Sequence, residues 1–153
     1  NLKKNVFFKK LGLEPFSKKF NFKYFKMFIK NKKKNIKNLL MDQTFVSGLG
    51  NIYVNEVLYM SKIKPLRICS TLNTNDIKNL IYNIRKVLKF SISKGGASIK
   101  DFKNAVGETG NFQQFFYVYG QNDNICSRIS CKGKIKKIII SNRSSFYCNK
   151  CQK

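Results

Sequence analysis

Four cysteines, Cys126, Cys131, Cys148 and Cys151, stand in the pattern C-x4-C-x16-C-x2-C and restrict residues 120–153 more than any other feature restricts the chain. Thiolates arranged as two close pairs can close tetrahedrally on one metal ion, each pair on its own knuckle. Between the pairs, the stretch 135–140 is strongly β-prone, Ser141-Asn142 can turn, and Ser145-Phe146-Tyr147 returns the chain to the second pair, so a hairpin is expected. Zinc suits this donor set, and all-cysteine ligation leaves no open position, which makes the site structural. Two disulfides are the alternative. The opening NLKKNVFFKK has too short an apolar core for a signal peptide, so a reducing, cytosolic setting is the expectation, and it favours thiolates on zinc. Metal binding would contribute folding free energy on the order of 10 kcal/mol, about what so small and polar a segment needs. The fifth thiol, Cys69, lies far away in sequence and reads as a buried small side chain rather than a nucleophile.

Ahead of the cysteines the patterning is helical. From Ser17, a plausible N-cap, Phe20, Tyr24, Phe25, Phe28 and Ile29 fall at helical spacing. The apolar face they form is expected to be left exposed if a further segment normally covers it. A short helix over 36–43 carries Ile36, Leu39 and Leu40 inward and delivers the chain to a glycine-rich kink, VSGLGN. Asn51 is then expected as the N-cap of a helix bearing Ile52, Val54, Val57 and Leu58. A helix start opened by Gly48 and Gly50 presents unpaired N–H groups and partial positive charge, which suits phosphate; an ordinary corner with a glycine C-cap is the other interpretation. Asn73 to Asp76 offers a cap for a long helix faced by Ile77, Leu80, Ile81, Ile84, Val87, Leu88 and Ser91, stopped by Gly95-Gly96. Residues 97–111 lack periodicity and are expected to form a functional loop, and the aromatic stretch 112–119 to close the helical core.

The 153 residues carry 31 Lys+Arg against 7 Asp+Glu, a net charge of +24 that calls for a polyanion, although Lys, Asn, Ile and Phe are also what an AT-rich genome produces. No apolar run is long enough for a bilayer. The chain has no His, which excludes every mechanism needing an imidazole base or ligand.

Taken together, Leu11-Gly-Leu-Glu-Pro15, Ile36-Lys37 with Leu40-Met-Asp-Gln43, Val46-Ser-Gly-Leu-Gly-Asn-Ile-Tyr53, Ile63-Lys-Pro65, Gly95-Gly-Ala-Ser98 with Asp101-Phe102, Gly110-Asn-Phe-Gln113, Val118-Tyr-Gly120 and Arg143-Ser-Ser-Phe-Tyr-Cys148 through Cys151-Gln152 resemble the C-terminal half of bacterial formamidopyrimidine-DNA glycosylases, in the family's order over nearly the whole chain. The resemblance implies a mainly α fold: the end of a catalytic domain and linker at 1–16, a helix-two-turns-helix DNA-binding domain at 17–119 and a four-cysteine, β-hairpin zinc finger at 120–153. It also implies a bifunctional glycosylase/AP lyase that removes oxidised purines from double-stranded DNA, acting as a cytosolic monomer. Lys37, Gly50 and Asn51 would contact backbone phosphate. Arg143 would grip phosphate and assist the last elimination step. Ser98, Lys100, Asp101, Phe102, Gly107 and Gly110 would belong to a loop closing over the flipped-out base. One structural Zn2+ would sit on Cys126, Cys131, Cys148 and Cys151. Two departures stand out. The first cysteine pair is spaced x4 where many members have x2. The family's N-terminal proline nucleophile has no counterpart here, since Pro15 and Pro65 are internal, and a fragment without turnover is therefore expected. An endonuclease VIII-type relative, which the 95–112 loop argues against, a stand-alone non-catalytic DNA-binding module and an RNA-bound zinc ribbon are the alternatives.

Overall fold

The computed structural model describes residues 11–93 and 116–153. Among these residues four α-helices, α1 (Phe22–Ile29), α2 (Ile36–Met41), α3 (Asn51–Met60) and α4 (Thr74–Ser93), with a 3-10 turn at Cys69–Thr71, precede a two-stranded hairpin, β1 (Ile135–Ile140) and β2 (Arg143–Cys148).

The first helix starts later than its apolar spacing suggests. Asn21, not Ser17, is its N-cap, accepting from the Tyr24 amide at 3.0 Å. The stretch 15–20 instead forms a turn held by Arg85, which donates to the carbonyls of Pro15, Ser17 and Phe20 at 2.9, 3.3 and 2.6 Å. The aromatic face of α1 is not left exposed, as the sequence suggested: Phe20 and Phe25 are fully buried. Phe45, from the connection after α2, supplies the missing cover. Its ring meets Phe25 edge-on at 4.9 Å and Phe28 at 4.7 Å, while the Tyr24 hydroxyl donates to its carbonyl at 2.6 Å.

Two turns join α2 to α3. In the first, Asp42 Oδ1 accepts from the Thr44 amide and hydroxyl at 2.9 and 2.6 Å, an Asx arrangement that ends α2 two residues before the expected Gln43. In the second, Gln43 accepts from the Gly48 amide at 2.9 Å and donates to the Leu49 carbonyl at 3.2 Å, bracing a backbone that reaches φ +92° at Gly48. The stretch 11–14 lies against this connection through a parallel bridge between Leu13 and Val46. A Cβ on Gly12 would stand 2.4 Å from the Phe45 backbone, so glycine is the only residue that permits the approach.

The long helix α4 opens on a reciprocal capping pair, with the Asp76 amide on Asn73 Oδ1 at 2.8 Å and the Asn73 amide on Asp76 Oδ2 at 3.0 Å. Its faces Ile77, Leu80, Ile81, Ile84 and Val87 close the main core with Leu39, Leu40, Val54, Val57 and Leu58. Cys69 is fully buried there, and burial pushes its thiol up to about 11, as expected of an inert packing residue.

A second core joins helix to hairpin: Tyr59 of α3 and Val118 pack with Cys126, Ile135, Phe146 and Cys148. The hairpin pairs in antiparallel register from Ile135–Cys148 to Ile140–Arg143, with Ser141 and Asn142 at φ 49° and 64°, the conformation a two-residue primed turn demands. Gln152 fastens the chain end across the junction, accepting from the Cys148 amide at 2.7 Å and donating to the Ile63 carbonyl at 2.8 Å. No helix among the described residues is long and apolar enough to cross a membrane. The stop at Gly95-Gly96, the 97–111 loop and its residues Ser98, Lys100, Asp101, Phe102, Gly107 and Gly110 lie outside the described residues.

Candidate metal centre and nucleic-acid interface

The four cysteine Sγ atoms all lie within 4.8 Å of one another. Cys126 and Cys151 are 3.8 Å apart and Cys131 and Cys148 3.7 Å. None of the five cysteines is disulfide-bonded. A tetrahedron with metal–sulfur bonds of about 2.3 Å has edges of about 3.8 Å, so the spacing fits an ion held by four thiolates and is far too long for a bond between sulfurs. The extra two residues of the first knuckle remove no ligand. The backbone prepares the cluster: the amides of Lys150 and Cys151 point at Cys148 Sγ at 3.4 and 3.5 Å, and the Cys126 amide donates to the Gly133 carbonyl at 2.8 Å. A Cβ on Gly133 would meet Cys148 Sγ at 2.5 Å, which explains glycine in that knuckle.

Two side chains that sequence patterning did not single out surround the thiols. Arg128, inside the lengthened knuckle, donates to Cys151 Sγ and to the Tyr59 carbonyl, both at 3.0 Å, and its guanidinium lies 4.5 Å from the centre of the Tyr59 ring. The Tyr59 hydroxyl stands 3.1 Å from Cys126 Sγ. A cluster of four thiolates on a divalent ion is anionic, and a stacked guanidinium offsets that charge while tying the cluster to α3.

The second arrangement forms where α2 and α3 meet β2. Lys37 is buried, and its ammonium donates to the Ser144 carbonyl at 3.1 Å and to Ser145 Oγ. Burial, and secondarily the charge of Arg143, lower this amine to about 8. Asn51 Nδ2 reaches the same Ser144 carbonyl at 3.1 Å, with Asn55 Nδ2 at 3.5 Å. Three donors thus converge on one acceptor, one residue from the exposed Arg143. Asn51 Oδ1 is buried with no hydrogen-bond partner among the described residues, at a cost of about 1–3 kcal/mol.

Asn51 does not cap α3, as the sequence suggested. Gly50 holds that position and Asn51 is the first helical residue, because its side chain is turned across to the hairpin rather than back onto its own helix. Asn55, which no pattern marked, is the clamp: it accepts from the Phe146 amide at 2.7 Å and donates to the Asn51 carbonyl at 2.8 Å. Its only sequence signal was a polar residue on a helix position that the periodicity assigns to neither face cleanly. The structure therefore brings Lys37 and Asn51 onto the residue that follows Arg143, from segments about a hundred positions apart, while Gly50 stands one residue before Asn51 as the N-cap of α3.

Glu56 of α3 faces the other way. It is 5% exposed and accepts from the Val118 amide at 3.4 Å through both oxygens, holding the segment that returns toward the hairpin. Burial raises this carboxyl to about 7, and the amides of Val118, Tyr119 and Tyr117 only partly oppose it. The folded chain thus binds this proton more tightly than the unfolded one, so stability is fully present below the ordinary value near 4.5 and falls as pH rises through about 7. Chemical denaturation is expected to show a loss on the order of 1–3 kcal/mol between pH 5 and pH 8, absent in Glu56→Gln. Equal pH dependence in both proteins would show that Glu56 is not its source.

Residues 11–103 match the family described as the formamidopyrimidine-DNA glycosylase H2TH domain. The chain belongs to this family. It is 46% identical over 143 residues to the formamidopyrimidine-DNA glycosylase of Prochlorococcus marinus subsp. pastoris, covering 94% of this chain and 48% of that protein. The corresponding protein of Rickettsia bellii is 45% identical over 147 residues, covering 96% and 53%. The chain spans about half the length of the curated relatives it matches. Among solved structures, the complex between the Lactococcus lactis enzyme and an abasic-site-containing DNA aligns with TM-score 0.82 at 37% identity, over 99% of this chain and 55% of that one. The same enzyme in complex with a FAPY-dG-containing DNA aligns with TM-score 0.81 at 37% identity, over 99% and 54%. The four helices thus lie within the stretch the H2TH family matches, and the hairpin that follows aligns, with them, to the Lactococcus lactis structures.

Proposed function

We propose that this chain is the DNA-gripping part of a base-excision repair glycosylase with AP-lyase activity, acting on oxidised purines in double-stranded DNA. The observation that carries this proposal is the junction where Lys37, Asn51 and Asn55 converge on the Ser144 carbonyl beside Arg143. A guanidinium at a hairpin tip offers a planar fork to one phosphate, while the ammonium and amide beneath it serve a neighbouring one. Two grips flanking one nucleotide suit an enzyme that draws that nucleotide out of the stack. Residues 17–119 and 120–153 act as helix-two-turns-helix grip and zinc finger, with one structural Zn2+ held by Cys126, Cys131, Cys148 and Cys151; the ion fixes the hairpin that presents Arg143.

Competitive binding to duplexes with an abasic analogue or no lesion, at two salt concentrations, tests the proposal. Preference for the abasic duplex at both salts is expected. Equal affinity that collapses with salt would leave only the +24 charge as the binding agent and overturn it.

A further inference from the structure

We propose that the groove between α1 and α4 is a second nucleic-acid surface, one that takes a single strand. It shares no residue with the junction of Lys37, Asn51 and Arg143. The groove encloses about 510 Å³ and is lined by Phe22 and by Lys78, Tyr82, Arg85, Lys86 and Lys89. Lys78, Tyr82 and Lys86 follow one another at four-residue steps and so form a stripe along α4, which Lys89 extends; from first to last this is about 16 Å of helix.

Two features separate this stripe from an ordinary solvated helix face. The first is aromatic. Tyr82 is left 64% exposed between two lysines, and Phe22 lies across from it with the ammonium groups of Lys26 and Lys78 at 5.6 and 6.0 Å from its ring centre. The second is charge: among the described residues no carboxylate lines the groove. The carboxylates that form ion pairs among the described residues, Asp42 and Asp76, are engaged by Lys34 and Arg67, and neither lines the groove. Arg85 is anchored on three backbone carbonyls, so its charge is fixed in place beneath the stripe.

Cations alternating with aromatic rings along a groove match a strand whose phosphates and bases are both accessible. A duplex hides its base faces in the stack and could use the lysines only. An acidic peptide would likewise use the charges and leave the rings idle.

The test is fluorescence anisotropy of the zinc-loaded chain with a short labelled oligothymidine, run beside the abasic-analogue duplex. Tyr82→Ser is expected to weaken strand binding about tenfold, Tyr82→Phe to retain it, and both to bind the duplex as the parent does. Replacing Lys86 and Lys89 together by Gln should reduce the salt slope for the strand by about 1.4. Unchanged strand affinity in Tyr82→Ser overturns the proposal, as does an equal loss on both probes. So does competition by polyglutamate as effective as that by unlabelled oligothymidine, which would assign the groove to acidic protein. The Arg143 grip can fail its own test without moving any of these readings, because the variants and the probe differ.

Discussion

Removing the ion from the cysteine centre with a strong chelator is expected to unfold residues 120–153, leave the helices standing and abolish preference for an abasic duplex. The hairpin consists of two strands, and an isolated two-stranded ribbon is marginal in water. With zinc on the four thiolates, as proposed, its stability comes from the metal, worth on the order of 10 kcal/mol in small Cys-rich folds, and from the second core with Tyr59 and Val118. The main core of α1–α4 contains none of the four ligands and so persists. The grip does not persist, since Arg143 and the Ser144 carbonyl both sit on β2. Amide hydrogen exchange of Ile135–Cys148 before and after chelation measures this, and readdition of zinc should restore protection. Protection unchanged in the metal-free chain would show that helix packing alone folds the finger. Cys148→Ser should reproduce the chelated state, because this sulfur also receives the Lys150 and Cys151 amides. Arg128→Ala should weaken zinc retention more mildly, as the loss of one charged hydrogen bond to Cys151.

The second large effect concerns the grip. Arg143→Ala is expected to lower affinity for the abasic duplex at least tenfold, as the loss of charge-assisted hydrogen bonds worth about 1.5–3 kcal/mol. Lys37 adds a pH signature with two opposite signs. Its amine is lowered to about 8 from the usual 10.5, by burial first and by Arg143 second, so the ammonium is still the main form at pH 7. Phosphate favours the ammonium. Affinity for DNA should therefore fall as pH rises from 7 through about 8 and beyond. Folding stability should do the reverse: above about 8 the unfolded chain holds the proton that the folded one has released, so stability rises until about 10.5. Lys37→Met should flatten both curves. Affinity and stability moving in the same direction with pH, or a Met variant that keeps the DNA-binding slope, would remove Lys37 from the interface.

Much of this was legible because local chemistry decided it. The α4 face repeats through Ile77, Leu80, Ile81, Ile84 and Val87, and all five are buried. The Asn73–Asp76 cap forms as its spacing requires. The first helix misled for a physical reason: Phe20 and Ser17 continue the helical spacing, but Arg85, distant in sequence, captures the carbonyls of this stretch and holds it as a turn. The side chain of Asn51 misled similarly. An Asn after Gly is a good cap in isolation, yet the Ser144 carbonyl offers it a partner that the helix alone does not.

The sequence by itself determined the elements and the metal donors: hydrophobic period, turn residues and cysteine spacing act over a few residues, and they name four helices, a hairpin and a set of four thiol ligands. Only the tertiary structure decided what those elements do to one another. It placed Phe45 over α1, Arg128 between Cys151 and Tyr59, and Asn55 between α3 and β2. It also set how the Ser144 carbonyl is shared among Lys37, Asn51 and Asn55. These are contacts across as many as 107 residues, made by single polar or aromatic side chains that carry no periodicity. A pattern marks which face of a helix is buried, but which donor finds which acceptor is settled when the packed cores bring them within reach.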